Sequence, residues 1–281
     1  MINSDQINQI IEVIKRVSGY DFTDYSPQSF QRRITKIVED YRVSFDELIK
    51  KIIKSDEKFL EKLIADITVN TTELFRNPTV WHSVKYRILP KLKDNERIDI
   101  WHAGCSTGQE VYSMMILLNE LGMLEKANIY ASDINQLALE NAQKGEYIYR
   151  FNIEYLQNFD EVIRKNPYNF EEYQDVPYSK YFEINQESDK ISIKEFLKNR
   201  AVFKQQDLVK KQNVFYKKFD LIMCRNVMIY FNLKLQSNVL NFFYDNLKFP
   251  GYLVLGYHES ILGNEAVKFH KKHYYYTKKL I

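Results

Sequence analysis

Apolar residues recur every three or four positions through the first 68 residues, and that spacing predicts a run of helices. Ile7, Ile10, Ile11, Ile14 and Val17 form one stripe, which Gly19 is placed to close. Ser26-Pro27 sets proline in the first turn of a second helix, through Phe30, Ile34, Ile37 and Val38. Ser44-Phe-Asp-Glu47 has the reciprocal capping pattern and opens a third, through Leu48, Ile49, Ile52 and Ile53. Residues 56–66 suggest a fourth. No strand pattern interrupts these helices, so residues 1–68 read as a small helical unit.

The pattern then changes. A polar stretch from Ile67 to Pro78 leads into a helix over 80–89, which Pro90 is expected to stop. Beyond it, short apolar runs alternate with helical stretches. Residues 98–103 read as a strand, Gly104 and Gly108 as a tight turn, and Tyr112, Met115, Ile116 and Leu118 as a helix ended near Gly122. Further strands are expected over 128–133, 201–207, 219–224 and 252–256, with helices over 134–142 and 233–247. A Pro250-Gly251 turn precedes the fifth strand, and a hairpin-like pair closes the chain over 267–278. Strand, glycine turn and helix in that order predict an α/β doubly wound sheet that holds a ligand at its strands' carboxyl ends. Residues 145–199 are polar and aromatic, broken by Pro167, Pro177 and the charged run 185–190. They read as an inserted subdomain, with no clear three-strand pattern. The expected division is 1–68 helical, 69–92 linker and helix at the ligand site, and 93–281 sheet domain.

Composition adds bounds rather than chemistry. With 281 residues, 45% hydrophobic and 27% charged, the chain has room for two cores. A net charge of +3 is too small to argue for nucleic acid. Cys105 and Cys224 stand far apart, which fits a reducing cytoplasm and neither a disulfide framework nor a metal site. No apolar run reaches membrane-spanning length and no signal peptide is seen, so a cytoplasmic protein without membrane insertion is expected.

The chemistry concentrates after residue 69. The turn Gly104-x-x-x-Gly108 is neither the dinucleotide pattern nor a P-loop, since no lysine follows Gly108. Glu110, opening the next helix, suits a ligand with a cationic or amino group better than a pyrophosphate. Asp133, ending the second strand, is placed to accept hydrogen bonds from both hydroxyls of a ribose. Asn70, Thr71 and Thr72 serve equally as helix caps or as a fold over a bound ligand. The basic second helix, with Arg32, Arg33, Lys36 and Arg42, has an ordinary reading as a solvated face.

Several motifs together resemble the CheR family of chemotaxis receptor methyltransferases. They are Arg32-Arg33, Asn70-x-Thr72-x-x-Phe75-Arg76, Cys105-Ser-Thr-Gly-Gln-Glu110-x-Tyr-Ser113, Ala131-Ser-Asp133-Ile, Asp207-Leu208 and Cys224-Arg-Asn-Val-Met-Ile-Tyr-Phe231. The run from Arg225 to Phe231 is the most specific, and the resemblance spans roughly residues 20–280. It implies a class I, Rossmann-like S-adenosylmethionine-dependent sheet preceded by a small all-α domain. The implied reaction moves a methyl group to the γ-carboxylate of glutamates in methyl-accepting chemotaxis receptors and leaves S-adenosylhomocysteine. Carried onto this sequence, Asn70, Thr72 and Arg76 meet the methionine part, Glu110 its amino group and Asp133 the ribose. Asp207 and Leu208 lie by the adenine, Ala103, Gly104, Arg225 and Asn226 line the cofactor, and Tyr230 stands near the transferred methyl as the catalytic residue. Arg32, Arg33 and Lys36 would meet acidic receptor helices, with the enzyme a monomer and no metal required.

The sequence also departs from the family pattern. Gln109-Glu110-Val111 stands where Glu-Glu-Pro is usual, Asp207 where Asn is common, and Gly256-Tyr-His-Glu259 where Gly-His-Ser-Glu is usual. The insertion reads as longer than the usual receptor-docking subdomain. Two alternatives therefore stay open: the same chemistry on another protein carboxylate, and a non-catalytic cofactor-binding signalling module.

Overall fold

Four amphipathic helices lead the chain, each delimited by caps that the sequence supplies. In the computed structural model, which describes residues 2–280, α1 (Ser4–Ser18) starts at an Asn3 capping box and ends at Gly19. The φ of 74° at Gly19 is left-handed, a conformation cheap only without a β-carbon. α2 (Pro27–Tyr41) begins with its proline. Ser44 and Glu47 exchange both capping hydrogen bonds at the head of α3 (Phe45–Ile53), and Asp56 caps α4 (Glu57–Ile67). Ile10, Ile14, Ile34, Leu48, Ile52 and Leu63 are fully buried together, so the apolar stripes face one another and form this unit's own core.

α5 (Pro78–Ser83) runs into a π turn (Val84–Ile88) and on through α6 (Leu89–Leu92). The helix thus passes Pro90, where the sequence pattern expects its end. The Leu89 N–H bonds back five residues to the Val84 carbonyl. A helix already widened in this way accepts a ring that has no N–H to donate.

The remaining elements are β1 (Ile98–Ala103), α7 (Gln109–Glu120), β2 (Ala127–Asp133) and α8 (Gln136–Lys144), then the insertion. The insertion holds β3 (Glu146–Ile148), α9 (Tyr149–Asn152), α10 (Tyr155–Phe159), β4 (Phe182–Asn185), β5 (Lys190–Ile193) and α11 (Glu195–Lys198). After it come β6 (Ala201–Gln205), β7 (Phe219–Cys224), α12 (Leu233–Asn246), β8 (Leu247–Leu255), β9 (Phe269–Lys272) and β10 (Tyr275–Lys278). Seven strands form one sheet in the order β6-β2-β1-β7-β8-β10-β9. The first five are parallel, and the β10-β9 hairpin adds an antiparallel edge. Every residue of β1 and of β7 is buried. Both strands are covered on two faces, so they read as continuous buried runs rather than alternating ones.

Two sequence expectations change here. β8 starts at Leu247 rather than after the Pro250-Gly251 turn. The register jumps from Phe219 opposite Leu247 to Leu221 opposite Tyr252, so a bulge absorbs the proline and glycine within the strand. The insertion, which showed no three-strand pattern, contains an antiparallel sheet ordered β3-β5-β4. Its strands are three or four residues long, and β4 is exposed beyond Phe182, too short and too wet to leave a period-two signal. Among the described residues, no helix is long and apolar enough to cross a membrane.

Candidate active site

From β1 the chain steps outward to β2 and β6, then returns to place β7 and β8 on the other side of β1. The connections leaving β1 and β7 therefore diverge, and a crevice opens beyond their carboxyl ends. The crevice encloses about 1090 Å³ of empty space, counting what opens to solvent. Gly104 and Ser106 follow β1 into it, Asp133 ends β2, Gln206, Asp207 and Leu208 follow β6, and Asn226 and Tyr230 follow β7. The linker closes one side with Asn70, Thr72 and Arg76, and the helical unit adds Tyr25, Phe30 and Arg33.

Backbone geometry is strained around this crevice. Phe75, Asn77, Ser106 and Asn226 have φ between 49° and 59°, a left-handed region that side chains disfavour. At Gly104, with φ 79°, an added β-carbon would lie 2.4 Å from Val227 Cγ2, so the β1 and β7 loops touch where only glycine fits.

Asp133 is buried and fixed from two sides. Its carboxylate accepts the Ser106 N–H at 2.8 Å and the Asn135 N–H at 2.9 Å, one on each oxygen. Burial pushes its pKa up, against the pull of those amide donors. Each oxygen keeps a lone pair for a ligand hydroxyl. Glu110 accepts from fully buried His102 Nδ1 at 2.8 Å and from Arg225 Nη1 at 3.1 Å. Burial works against the Glu110 charge, but the His102 hydrogen bond and the Arg225 guanidinium outweigh it and hold its pKa below the usual range. Arg225 also donates to the Arg76 carbonyl at 2.6 Å and to Asn77 Oδ1 at 3.2 Å. Its side chain is a brace between α7, the linker and the β7 loop.

Of the residues singled out in the sequence, Asn70, Thr72, Arg76, Gly104, Glu110, Asp133, Asp207, Leu208, Arg225, Asn226 and Tyr230 all line the crevice, together with Arg33. Ala103 does not. Its side chain is buried in the core shared by β1, β7 and α12. Arg32 and Lys36 also lie outside the lining, exposed on α2, where Lys36 pairs with Asp40 at 3.1 Å. Sequence reasoning missed Tyr25, Phe30 and Gln206, which reach the crevice only through tertiary packing, and it gave no role to His102.

The profile of the CheR methyltransferase S-adenosylmethionine-binding domain matches residues 70–276, and that of the CheR methyltransferase all-alpha domain matches residues 5–68. The chain belongs to the CheR methyltransferase family. Relatives of this CheR chain include the Cher3 protein of Pseudomonas putida, 34% identical over 92% of this chain and 90% of its own length. The chemotaxis protein methyltransferase of Borreliella burgdorferi is 32% identical over 95% and 92%, respectively. That of Listeria innocua is 30% identical over 89% and 88%. This CheR chain is an S-adenosylmethionine-dependent methyltransferase of chemotaxis.

The crevice suits that cofactor. Ser106 Oγ, Gln206 Oε1 and Asp207 Oδ2 are buried with no protein partner, a group of unsatisfied polar atoms beside Asp133 that a nucleoside's hydroxyl and amino groups would satisfy. Ile134 and Leu208 supply apolar walls for a base, and Glu110 supplies a buried negative charge for an amino group.

Proposed function

We propose that this enzyme esterifies glutamate side chains of chemotaxis receptors, and that the crevice residues divide the work. Asp133 holds the ribose, Asp207 and Leu208 the adenine, Glu110 the amino group, and Asn70, Thr72 and Arg76 the methionine end, with Gly104, Arg225 and Asn226 shaping the cradle. Helices 1–68 form a substrate-facing unit, 69–92 a segment closing over the cofactor, and 93–281 the sheet domain with its insertion. The enzyme acts as a monomer.

The surroundings of Tyr230 carry this reading. Burial pushes the phenol's pKa up, against the pull of Arg33, Arg76 and Arg32, whose positive charges all reach it. An acceptor entering there meets a neutral hydroxyl donor in a crevice that Arg33 and Arg76 also line, an environment that favours a carboxylate. Bound S-adenosylmethionine supplies an activated methyl group on a sulfonium. A glutamate carboxylate is already a nucleophile at neutral pH, so the protein need not remove a proton from it. The protein's part is to orient one oxygen and keep water out. Tyr230 would donate to the carboxylate oxygen that does not attack, while Arg33 draws the acidic segment in. The chemotaxis methyltransferases among its relatives point to receptors as the source of that segment.

The test is transfer of labelled methyl from S-adenosylmethionine to a chemoreceptor cytoplasmic domain, followed by mild alkali. Label on the receptor that base releases as methanol identifies a carboxyl ester. Base-stable label, or no transfer to any receptor domain, would refute the proposal.

A further inference from the structure

Glu259 lies beyond β8, in a segment to which the sequence pattern assigns no function. Its carboxylate accepts almost solely from backbone. Oε2 takes the Asn226 N–H at 2.8 Å and the Gly256 N–H at 2.6 Å, and Oε1 takes the Ile229 N–H at 3.1 Å. Two of these donors belong to the loop that follows β7. Asn226 sits there at a left-handed φ of 59°, and Ile229 lies within the short 3-10 turn Met228–Tyr230. An internal hydrogen-bond ladder cannot hold a left-handed residue that breaks into a single helical turn, so an outside acceptor must. Space confirms the fit: a β-carbon on Gly256 would lie 2.6 Å from Glu259 Oε2 and 2.8 Å from the Asn226 nitrogen.

We infer that Glu259 is the positioning residue of the methyl-transfer site, holding the 225–230 loop so that Asn226 and Tyr230 face the crevice. It touches neither cofactor nor substrate and acts through the amides it gathers. The inference rests on the assignment of Asn226 and Tyr230 to that site.

The charge is held chiefly by backbone dipoles. Burial pushes the Glu259 pKa above the usual carboxylate range, against the Gly256, Asn226, Ile229 and Met228 amides. The ionisable groups whose charges reach it are Cys224, Arg225 and Tyr230. Burial raises the pKa of Cys224 and of Tyr230, and Arg225 stays cationic, so none of the three changes charge in acid. His258, its neighbour in sequence, packs edge-on against Tyr257, with ring centroids 4.9 Å apart. Glu110 accepts from Arg225 at 3.1 Å, and its pKa is lowered.

Nitrogen-15 spectra of the whole protein test this without turnover. As pH falls, the Asn226, Ile229 and Gly256 amides should shift together with one midpoint above the ordinary glutamate range, and Glu259→Gln should abolish that shared transition. S-adenosylhomocysteine, titrated calorimetrically, should bind Glu259→Gln about tenfold or more weakly, because an amide offers one acceptor where the carboxylate offers two. In methyl transfer, kcat should fall as well. Independent titration of the three amides in the native protein would overturn the inference, and this arm stands even if the variant fails to fold. A folded variant with unchanged S-adenosylhomocysteine affinity would overturn it too. Neither result depends on which protein carries the glutamate, so base-labile receptor methylation is judged separately.

Discussion

Replacing Asp133 with alanine separates the cofactor cradle from the substrate face. The native carboxylate is oriented before any ligand arrives, because the Ser106 and Asn135 amides each hold one of its oxygens. A ribose then meets a fixed double acceptor, and charge-assisted bonds of this kind are worth about 1.5–3 kcal/mol in net terms. Alanine should therefore weaken S-adenosylhomocysteine binding roughly 10- to 150-fold. Arg33→Glu should change that affinity less than twofold yet impair receptor methylation, since Arg33 comes from the helical unit. Isothermal titration of both variants, beside a methylation assay, gives the comparison. Equal losses of cofactor affinity would refute the division of labour. The pH dependence gives a second check. With the folded pKa of Asp133 raised, its ionised form is disfavoured by folding, so its protonation relieves a stability cost as pH falls. Cofactor affinity moves the opposite way and should drop through the same window, above where an ordinary aspartate titrates. Asp133→Ala should lose that drop.

Two further outcomes probe the scaffold. Gly104→Ala places a β-carbon 2.4 Å from Val227 Cγ2 at a positive φ, which costs about 1–2 kcal/mol for the conformation alone. Both thermal midpoint and S-adenosylhomocysteine affinity should fall, and an unchanged affinity would mean that the β1 and β7 loops are not coupled at the site. At the opposite end of the sheet, Lys248 bridges Asp99 at 2.8 Å and Asp220 at 2.7 Å. Lys248→Met should cost about 1–2 kcal/mol, since the lysine is partly solvated, and leave S-adenosylhomocysteine affinity untouched. Thermal melts and titration read the two effects, and an unchanged midpoint would show that the bridge contributes nothing.

The sheet was legible because its central strands β1 and β7 are buried on both faces and because several strands end in residues that chemistry marks. Gly104, Asp133 and Asp207 stand at the carboxyl ends where a doubly wound order places a ligand. The helical unit was legible through local capping: Pro27, the Ser44–Glu47 pair and Gly19 act within one turn of their own helix. What stayed hidden depends on contacts distant in sequence. Tyr25 reaches the crevice across some two hundred residues to pair with Phe231. His102 looks like any strand residue until Glu110 is folded over it. Pro90 signals a helix end by its own chemistry, and only the π turn before it permits the chain to continue.

The strap between residues 24–26 and the β7 loop changes what can be cut from this chain. Ser26 donates its N–H to the Tyr230 carbonyl at 2.8 Å, and Asp24 holds Asn232 and Lys234 at 3.2 and 3.0 Å. The gap at residue 68 looks like a natural place to divide the protein, yet a fragment beginning there would leave the Tyr230 loop without one of its anchors. Exchanging helical units between relatives faces the same constraint. A graft that carries residues 24–26 without matching partners at 230–234 would alter the methyl-transfer loop while appearing to change only the receptor-facing surface, and any shift in specificity would arrive mixed with a loss of turnover.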